Sequence, residues 1–305
     1  MTLVTGGAGF IGSTLVQALS RAGEPVRVLD DFSTGRRGRV AGLPGVEVIE
    51  GDIADRRAVR AAAAGVRRVA HLAALASVPR AEVNPREAAR VNVAGTLTLL
   101  EEARRAGVRS LAYASSCSVY GKGEGPFSET SPASPRSVYA VTKLAGERHV
   151  LLFHRSGGPA AIALRFFNVY GPAQPADSPY SGVLALFAAA ARSGARPIIH
   201  GDGLQTRDFV HVNDVVRAIR LALDAAPGAA GGQAFCVASG RAATIREIWT
   251  LVAEAAGSSA RPRFGPSRAG DMRHASAATV RAAERLGFRA RIRLEDGIRS
   301  FFIAK

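Results

Sequence analysis

The sequence predicts an α/β protein: a doubly wound parallel sheet with a smaller α/β substrate-binding domain. Three observations carry this. Short apolar runs alternate with helical patterns through the first 165 residues. A glycine-rich turn, Gly6-Gly7-Ala8-Gly9-Phe10-Ile11-Gly12, stands between the first apolar run and the first helical one. After Phe166 the alternation loosens, and Pro172, Pro175 and Pro179 interrupt it. Alternation of strand and helix gives a parallel sheet covered on both faces, because each crossover lays a helix on the sheet.

Leu3-Val4-Thr5 enters the turn, and residues 11–22 read as a helix. Residues 26–30, 46–49 and 66–72 read as strands. A long helix is expected over 86–106, a strand over 110–115, a helix over 139–155 and a strand over 160–165. Beyond these, 181–192 reads as a helix, and 209–212 and 215–225 as one more strand and helix of the main sheet. Residues 227–232 read as a connection, 244–257 as a helix and 262–270 as an irregular basic loop. The expected division is a Rossmann-type nucleotide domain over 1–165, with 205–226 returning to it, and a second domain from 166–204 and 227–305. No internal repeat is visible.

A chain of 305 residues can bury a large core. The net charge of +15 comes from arginines scattered without any block of like charge. This reads as a solvated, Arg-biased surface and not as a nucleic-acid footprint. No apolar run reaches about 18 residues, so no membrane helix is expected. The first strand begins at once, without space for a signal peptide. Cys117 and Cys236 lack metal-ligand spacing, so the expectation is a cytoplasmic protein with reduced thiols and no metal. Only Lys122, Lys143 and Lys305 are lysines. Where Arg serves for almost every cation, an interior Lys points to a place needing a compact charge.

Gly6, Gly9 and Gly12 allow a tight turn and let backbone N–H groups approach a pyrophosphate at a helix N-terminus. Asp30 ends the second strand, 18 residues past Gly12. A carboxylate there accepts ribose hydroxyls and repels a 2′-phosphate, which favours NAD over NADP, although Arg36 and Arg37 lie just beyond. Asp52 and Ile53 follow the third strand, placed to meet the adenine; the less favoured alternative is that Asp30 and Asp52 merely end strands. Tyr139 and Lys143, four apart, share a helix face. An ammonium about 6 Å away at an effective dielectric of about 20 favours a phenolate by roughly 3 kcal/mol, or about two pK units. Ser116, at a strand end, can bond the same carbinol oxygen. Ser115 and Ser118 are either site hydroxyls or turn caps. A dinucleotide turn followed by this set points to hydride chemistry on an alcohol or ketone.

On these residues the chain resembles the extended short-chain dehydrogenases/reductases, in the nucleotide-sugar epimerase/dehydratase family. Matching segments are 5–13, Asp30, Asp52-Ile53, 71–74, Asn92, 115–121, 139–143, 165–172, 201–214 and 268–274. The resemblance implies a tightly held NAD, bound by Gly6, Gly9, Phe10, Ile11, Gly12, Asp30, Asp31, Asp52, Ile53, Leu72, Ala73, Ala74, Asn92, Tyr139 and Lys143. It implies Ser116, Tyr139 and Lys143 as the catalytic set. Its substrate positions fall on Ser116, Ser118, Asn168, Arg207, Arg268, Asp271 and Ala275. In much of the family Arg follows Gly171-Pro172, whereas here Ala173 does.

The family's dehydratases need an acidic pair beside the active-site hydroxyl. Here Cys117 and Ser118 follow Ser116, which argues against 4,6-dehydration. The implied reaction is NAD-dependent 4-epimerisation of a UDP-hexose through a 4-keto sugar. UDP-glucuronate epimerisation or decarboxylation is the rival, and a non-catalytic NAD-sensing or nucleic-acid-binding protein is a more distant one. Ala275 matches a position that gates sugar size, so the N-acetylhexosamine pair is expected to fit. A homodimer is implied, with helices 86–106 and 139–155 pairing with their mates.

Overall fold

A computed structural model describes residues 1–176, 182–224, 230–267 and 272–303. The chain begins with β1 (Thr2–Thr5), α1 (Phe10–Arg21), β2 (Val26–Asp30), β3 (Val46–Glu50), α2 (Arg56–Ala63) and β4 (Arg68–His71). Helices α3 (Val78–Val83), α4 (Pro85–Ala89) and α5 (Gly95–Arg105) lead to β5 (Ser110–Ser116), α6 (Val138–Arg155) and β6 (Ala160–Phe166). Next come β7 (Asn168–Tyr170), α7 (Val183–Ser193), β8 (Ile198–His200), β9 (Thr206–His211), α8 (Val212–Asp224) and β10 (Gln233–Val237). The chain closes with β11 (Ala242–Thr244), α9 (Ile245–Ala256), β12 (Arg263–Gly265), β13 (His274–Ala275), α10 (Val280–Leu286) and α11 (Leu294–Arg299).

Seven parallel strands form the main sheet in the order β10-β6-β5-β4-β1-β2-β3. Every residue of β6 is buried, as expected of a strand covered on both faces. Leu15, Val16 and Leu19 of α1, with Val215, Ile219 and Leu223 of α8, cover one face. Val59 of α2, Leu99 and Leu100 of α5 and Val150 of α6 cover the other. Strand order reverses between β1 and β4, which opens a crevice at the carboxyl ends of those strands.

A second sheet runs β11-β9-β13, with β7 added to β9, and β8 pairs with β12 apart from it. Its core holds Tyr170, Phe187, Phe209, Ile248, Trp249 and Phe301. Here the sequence expectation needs correcting. The strand at 209–212 was expected in the main sheet, but β9 is central to the second. Phe209 faces the second core and Val210 the first. An apolar run signals burial on both faces without saying which sheet owns it. The seventh strand of the main sheet is instead β10, from the stretch expected in the second domain.

The expected helix over 86–106 is also modified. Residues Arg90–Ala94 form a π turn between α4 and α5. Such turns insert one residue into a helix and recur at functional sites.

Candidate active site

The glycine turn is a backbone cradle. Gly6 has φ +67°, and a Cβ there would lie 2.7 Å from the Ala73 nitrogen. A Cβ on Gly12 would lie 2.1 Å from the Gly6 carbonyl oxygen. Gly9 caps α1 without any side chain, so the first N–H groups of the helix, of Phe10, Ile11 and Gly12, have no side-chain cap. This is a fit for a pyrophosphate.

Asp30 is buried, and its carboxylate accepts from the Ala8 N–H at 2.8 Å and the Phe32 N–H at 2.9 Å. It thus braces the turn from the β2 side. Burial raises its pKa against the pull of these two bonds. Asp31 accepts from the Ser33 N–H and hydroxyl. Arg37, next to the expected ribose site, is paired with Glu50 and lies over the Phe32 ring. Asp52 accepts from the Ala54 N–H at 2.8 Å and pairs with Arg90 at 2.7 Å. Burial raises its carboxyl, but Arg90 outweighs that and leaves it lowered. Ile53 is buried against Gly95.

Leu72, Ala73 and Ala74 follow β4, where the Leu72–Ala73 backbone meets Gly6. His71 bridges Thr5 at 2.8 Å and Thr96 at 2.9 Å, and the Thr96 hydroxyl donates to the Asn92 carbonyl. Burial and the Lys143 charge push His71 down to about 3, so it is a neutral strut. Asn92 lies in the π turn. Its Oδ1 accepts from the Leu75 N–H at 2.8 Å, and its Nδ2 donates to the Leu75 carbonyl and the Thr142 hydroxyl. The side chain therefore ties the β4 exit loop to the N-terminal part of α6.

Ser116, Tyr139 and Lys143 come together at the carboxyl end of β5. The Ser137 hydroxyl caps α6, accepting from the Ala140 N–H at 3.1 Å, and so starts the helix two residues before Tyr139. The Ser116 hydroxyl lies near enough to the Tyr139 phenol to favour its ionised form, and it accepts from the Ser118 N–H at 3.2 Å. Lys143 is buried, with Nζ 4.4 Å from the centre of the Tyr113 ring. The expected downward shift of the phenol is not what this geometry gives. Burial pushes Tyr139 up to about 12 and Lys143 down to about 7. Desolvation is the largest effect on both groups, so the phenol rests protonated until further positive charge arrives.

Of the neighbouring serines, Ser115 is no turn cap: its hydroxyl donates to Glu147 at 2.6 Å. The Ser118 Oγ is buried, and among the described residues nothing bonds it. Burial raises the Cys117 thiol to about 11, and Arg207 and Asp208 are near enough to act on it. That neighbourhood brings Arg207 of β9 to the Ser116 side of the crevice. Arg207 sits in register with Ala275 of β13. Asn168 donates to the Asp208 carbonyl at 3.1 Å. The Asp208 carboxylate is fully buried and accepts from Ser239, Gly240 and Ala277, locking this corner. Ala275 is buried. Arg268 and Asp271 lie outside the described residues. At Ala173, Arg39 reaches across from the nucleotide side and donates to the Ala173 carbonyl at 2.9 Å.

Comparison with known proteins reaches the same place. Residues 2–238 match the model of the NAD dependent epimerase/dehydratase family. The chain belongs to that family. It is 41% identical over 303 residues to a UDP-glucose 4-epimerase of Mycolicibacterium smegmatis, covering 97% of this chain and 96% of the relative. Its fold matches the UDP-glucose 4-epimerase of Thermotoga maritima, solved with UDP-glucose, with TM-score 0.93, 33% identity, and 99% and 98% of the two chains covered. It also matches MoeE5, solved with UDP-glucuronic acid and NAD, with TM-score 0.89, 36% identity, and 98% and 96% covered.

Two site features of this family member escaped the sequence reading. Glu147, four residues past Lys143, pairs with Arg165 at 2.6 Å, one helical turn beyond that lysine. Its spacing from Tyr139 and Lys143 was a visible signal of a shared helix face. The Asp208 hub gave no comparable signal, because its partners, three backbone N–H groups and the Ser239 hydroxyl, are distant in sequence.

Proposed function

We propose that this chain is an NAD-dependent 4-epimerase that interconverts UDP-glucose and UDP-galactose through a transient 4-keto sugar. The carrying observation is the Tyr139 phenol beside the Ser116 hydroxyl, with buried Lys143 one helical turn on, at the carboxyl edge of the sheet that bears the glycine cradle. The cradle fits NAD: two positions exclude a Cβ, and no side chain caps the helix N-terminus. Residues 6–12 hold the pyrophosphate, Asp30 and Asp31 border the ribose, and Asp52 and Ile53 border the adenine. When bound, NAD supplies the hydride acceptor and a positively charged ring that favours the Tyr139 phenolate. Tyr139 takes the proton of the C4 hydroxyl and later returns it. Ser116 orients that oxygen, and Lys143 stabilises the phenolate. By the family resemblance Arg207 and Arg268 grip the diphosphate, Asn168 touches the diphosphate or sugar and Asp271 the ribose, while the 4-keto sugar turns over. Asn92 acts by holding α6 in place.

Cys117 and Ser118 supply no carboxylic acid beside Ser116, which supports epimerisation over dehydration. Ala275, small and adjacent to Arg207, leaves room for a 2-acetamido group. Protein incubated without added cofactor is expected to convert both UDP-glucose and UDP-N-acetylglucosamine to their 4-epimers, read by chromatography. Loss of only the acetamido pair removes the Ala275 reading. Turnover of UDP-glucuronate alone replaces the hexose assignment with the rival. No turnover of any of these sugars overturns the enzyme reading.

The enzyme works in the cytoplasm as a homodimer. Val141 and Leu152 of α6 and Val83 of α3 are exposed, at 52%, 55% and 77%. Helix–helix pairing with a second copy would cover them. Light scattering is expected to give twice the chain mass, and Leu152→Glu to lower it. A monomer at micromolar concentration removes this proposal.

A further inference from the structure

A charge cluster lies beneath the reacting pair, and the steps above assign it nothing. Tyr139, Lys143 and Glu147 recur every four residues on α6 and share one face. Glu147 is 0% exposed. Its Oε2 accepts from the Ser115 hydroxyl at 2.6 Å and from Arg165 Nε at 3.0 Å, and its Oε1 accepts from Arg165 Nη2 at 2.6 Å. Arg165 Nη1 donates to the Tyr120 oxygen at 3.0 Å and to the Glu129 carbonyl at 3.4 Å. The carboxylate is thus clamped between β5 and β6.

A buried ion pair is a poor device for stability, since apolar replacements of similar volume are often neutral or better. Its position offers another use. Lys143 must carry a charge in a place where burial opposes charge. We propose that Glu147 is a positioning residue that keeps Lys143 cationic beneath Tyr139, with Arg165 and Ser115 fixing its carboxylate one helical turn away. The clamp prevents Glu147 from capturing the ammonium, which stays directed at the phenol. This rests on the reading of Tyr139 and Lys143 as the reacting pair. Burial lowers Lys143 to about 7, and the Glu147 charge is what opposes that fall.

The other groups around Lys143 do not substitute for it. Tyr139 stands on α6, Tyr113 on β5 and His71 on β4, the last neutral. Arg165 of β6 is a cation, and Cys117 and Tyr120 follow β5 with raised pKa values. On the helices packed against α6, Glu82 accepts from the Val138 N–H and Arg90 is paired with Glu87 and Asp52. Glu102 is enclosed by Arg56, Arg60 and Arg105.

The test compares Glu147→Gln, Glu147→Gln with Arg165→Met, and Glu147→Asp across neutral and mildly alkaline pH. The double variant leaves no unpaired buried guanidinium, so it keeps the test open if the single variant unfolds. Loss of the Lys143 proton sets the alkaline limb of kcat. In both Gln variants that limb is expected to move to lower pH by about one to two units, with KM for UDP-glucose changed less than about twofold. Glu147→Asp is expected to keep the original limb. A folded double variant with the original limb, or a loss of kcat equal at every pH, overturns the proposal. A readout free of turnover separates this from the epimerase reading. With only three lysines, amine acylation of Lys143 can be followed by mass spectrometry against pH. Its midpoint is expected to fall in the Gln variants even if no tested sugar turns over.

Discussion

Tyr139→Phe is expected to lower epimerase turnover by about 10²- to 10⁴-fold, the usual worth of a positioned acid–base group, while fold and NAD content stay unchanged. The ring is half-buried and packs with Val138 against Leu75, Ala81 and Ala88, and Phe fills the same space. What disappears is one oxygen, the one that faces the Ser116 hydroxyl. The effect is large because no other group within the crevice can replace it. Ser116 is an ordinary alcohol, and Cys117 is held near 11 by burial. The pH dependence has a definite sign. Tyr139 must give up a proton from a pKa raised to about 12, so turnover rises as pH climbs from the acid side. Lys143 must keep a proton from a pKa lowered to about 7, so turnover falls again on the alkaline side. Epimer formation and extracted NAD, measured on the same preparations, check this. A Phe variant with wild-type kcat would remove Tyr139 from the chemistry.

The parts of the site that could be read from sequence are local. The strand–turn–helix at residues 2–21 concentrates its signal in one glycine-rich stretch, because a tight approach of backbone to phosphate needs residues without Cβ atoms. Tyr139 and Lys143 were legible because a helix repeats every 3.6 residues. What stayed hidden depends on where segments meet. The π turn at Arg90–Ala94 adds one residue to a helix without altering its apolar stripe, so 86–106 read as a single helix. Asn92 matched a family position, but its bonds to Leu75 and Thr142 come from packing of the π turn against α6. The exchange between β9 and β10 was invisible because sheet membership depends on which segments meet in the fold. The phenol's upward shift could not be foreseen from an ammonium at a guessed distance, since burial is a property of the assembled crevice.

Gly12→Ala is expected to cost about 1–3 kcal/mol of stability and to strip the protein of most of its NAD. The added carbon would stand 2.1 Å from the Gly6 carbonyl oxygen and 2.8 Å from the Gly7 Cα. Neither neighbour can retreat. Gly6 is fixed by its N–H bond to Leu29 at 2.8 Å, by its left-handed φ and by the Ala73 backbone on its other side. Gly7 backs onto the Val28 side chain, where a Cβ would itself lie at 2.8 Å. The strain therefore goes into α1, which must slide away from the turn and turn its first N–H groups off the phosphate position. Gly38→Ala is the matched control. Nothing stands within 4 Å of a Cβ there, and its φ is not left-handed. That variant is expected to change stability by no more than about 0.5 kcal/mol, as exposed substitutions usually do. Thermal unfolding and the NAD released on denaturation measure both outcomes. If Gly12→Ala kept its NAD and its melting temperature, the turn would be free to open, and a close backbone approach could not be what holds the pyrophosphate.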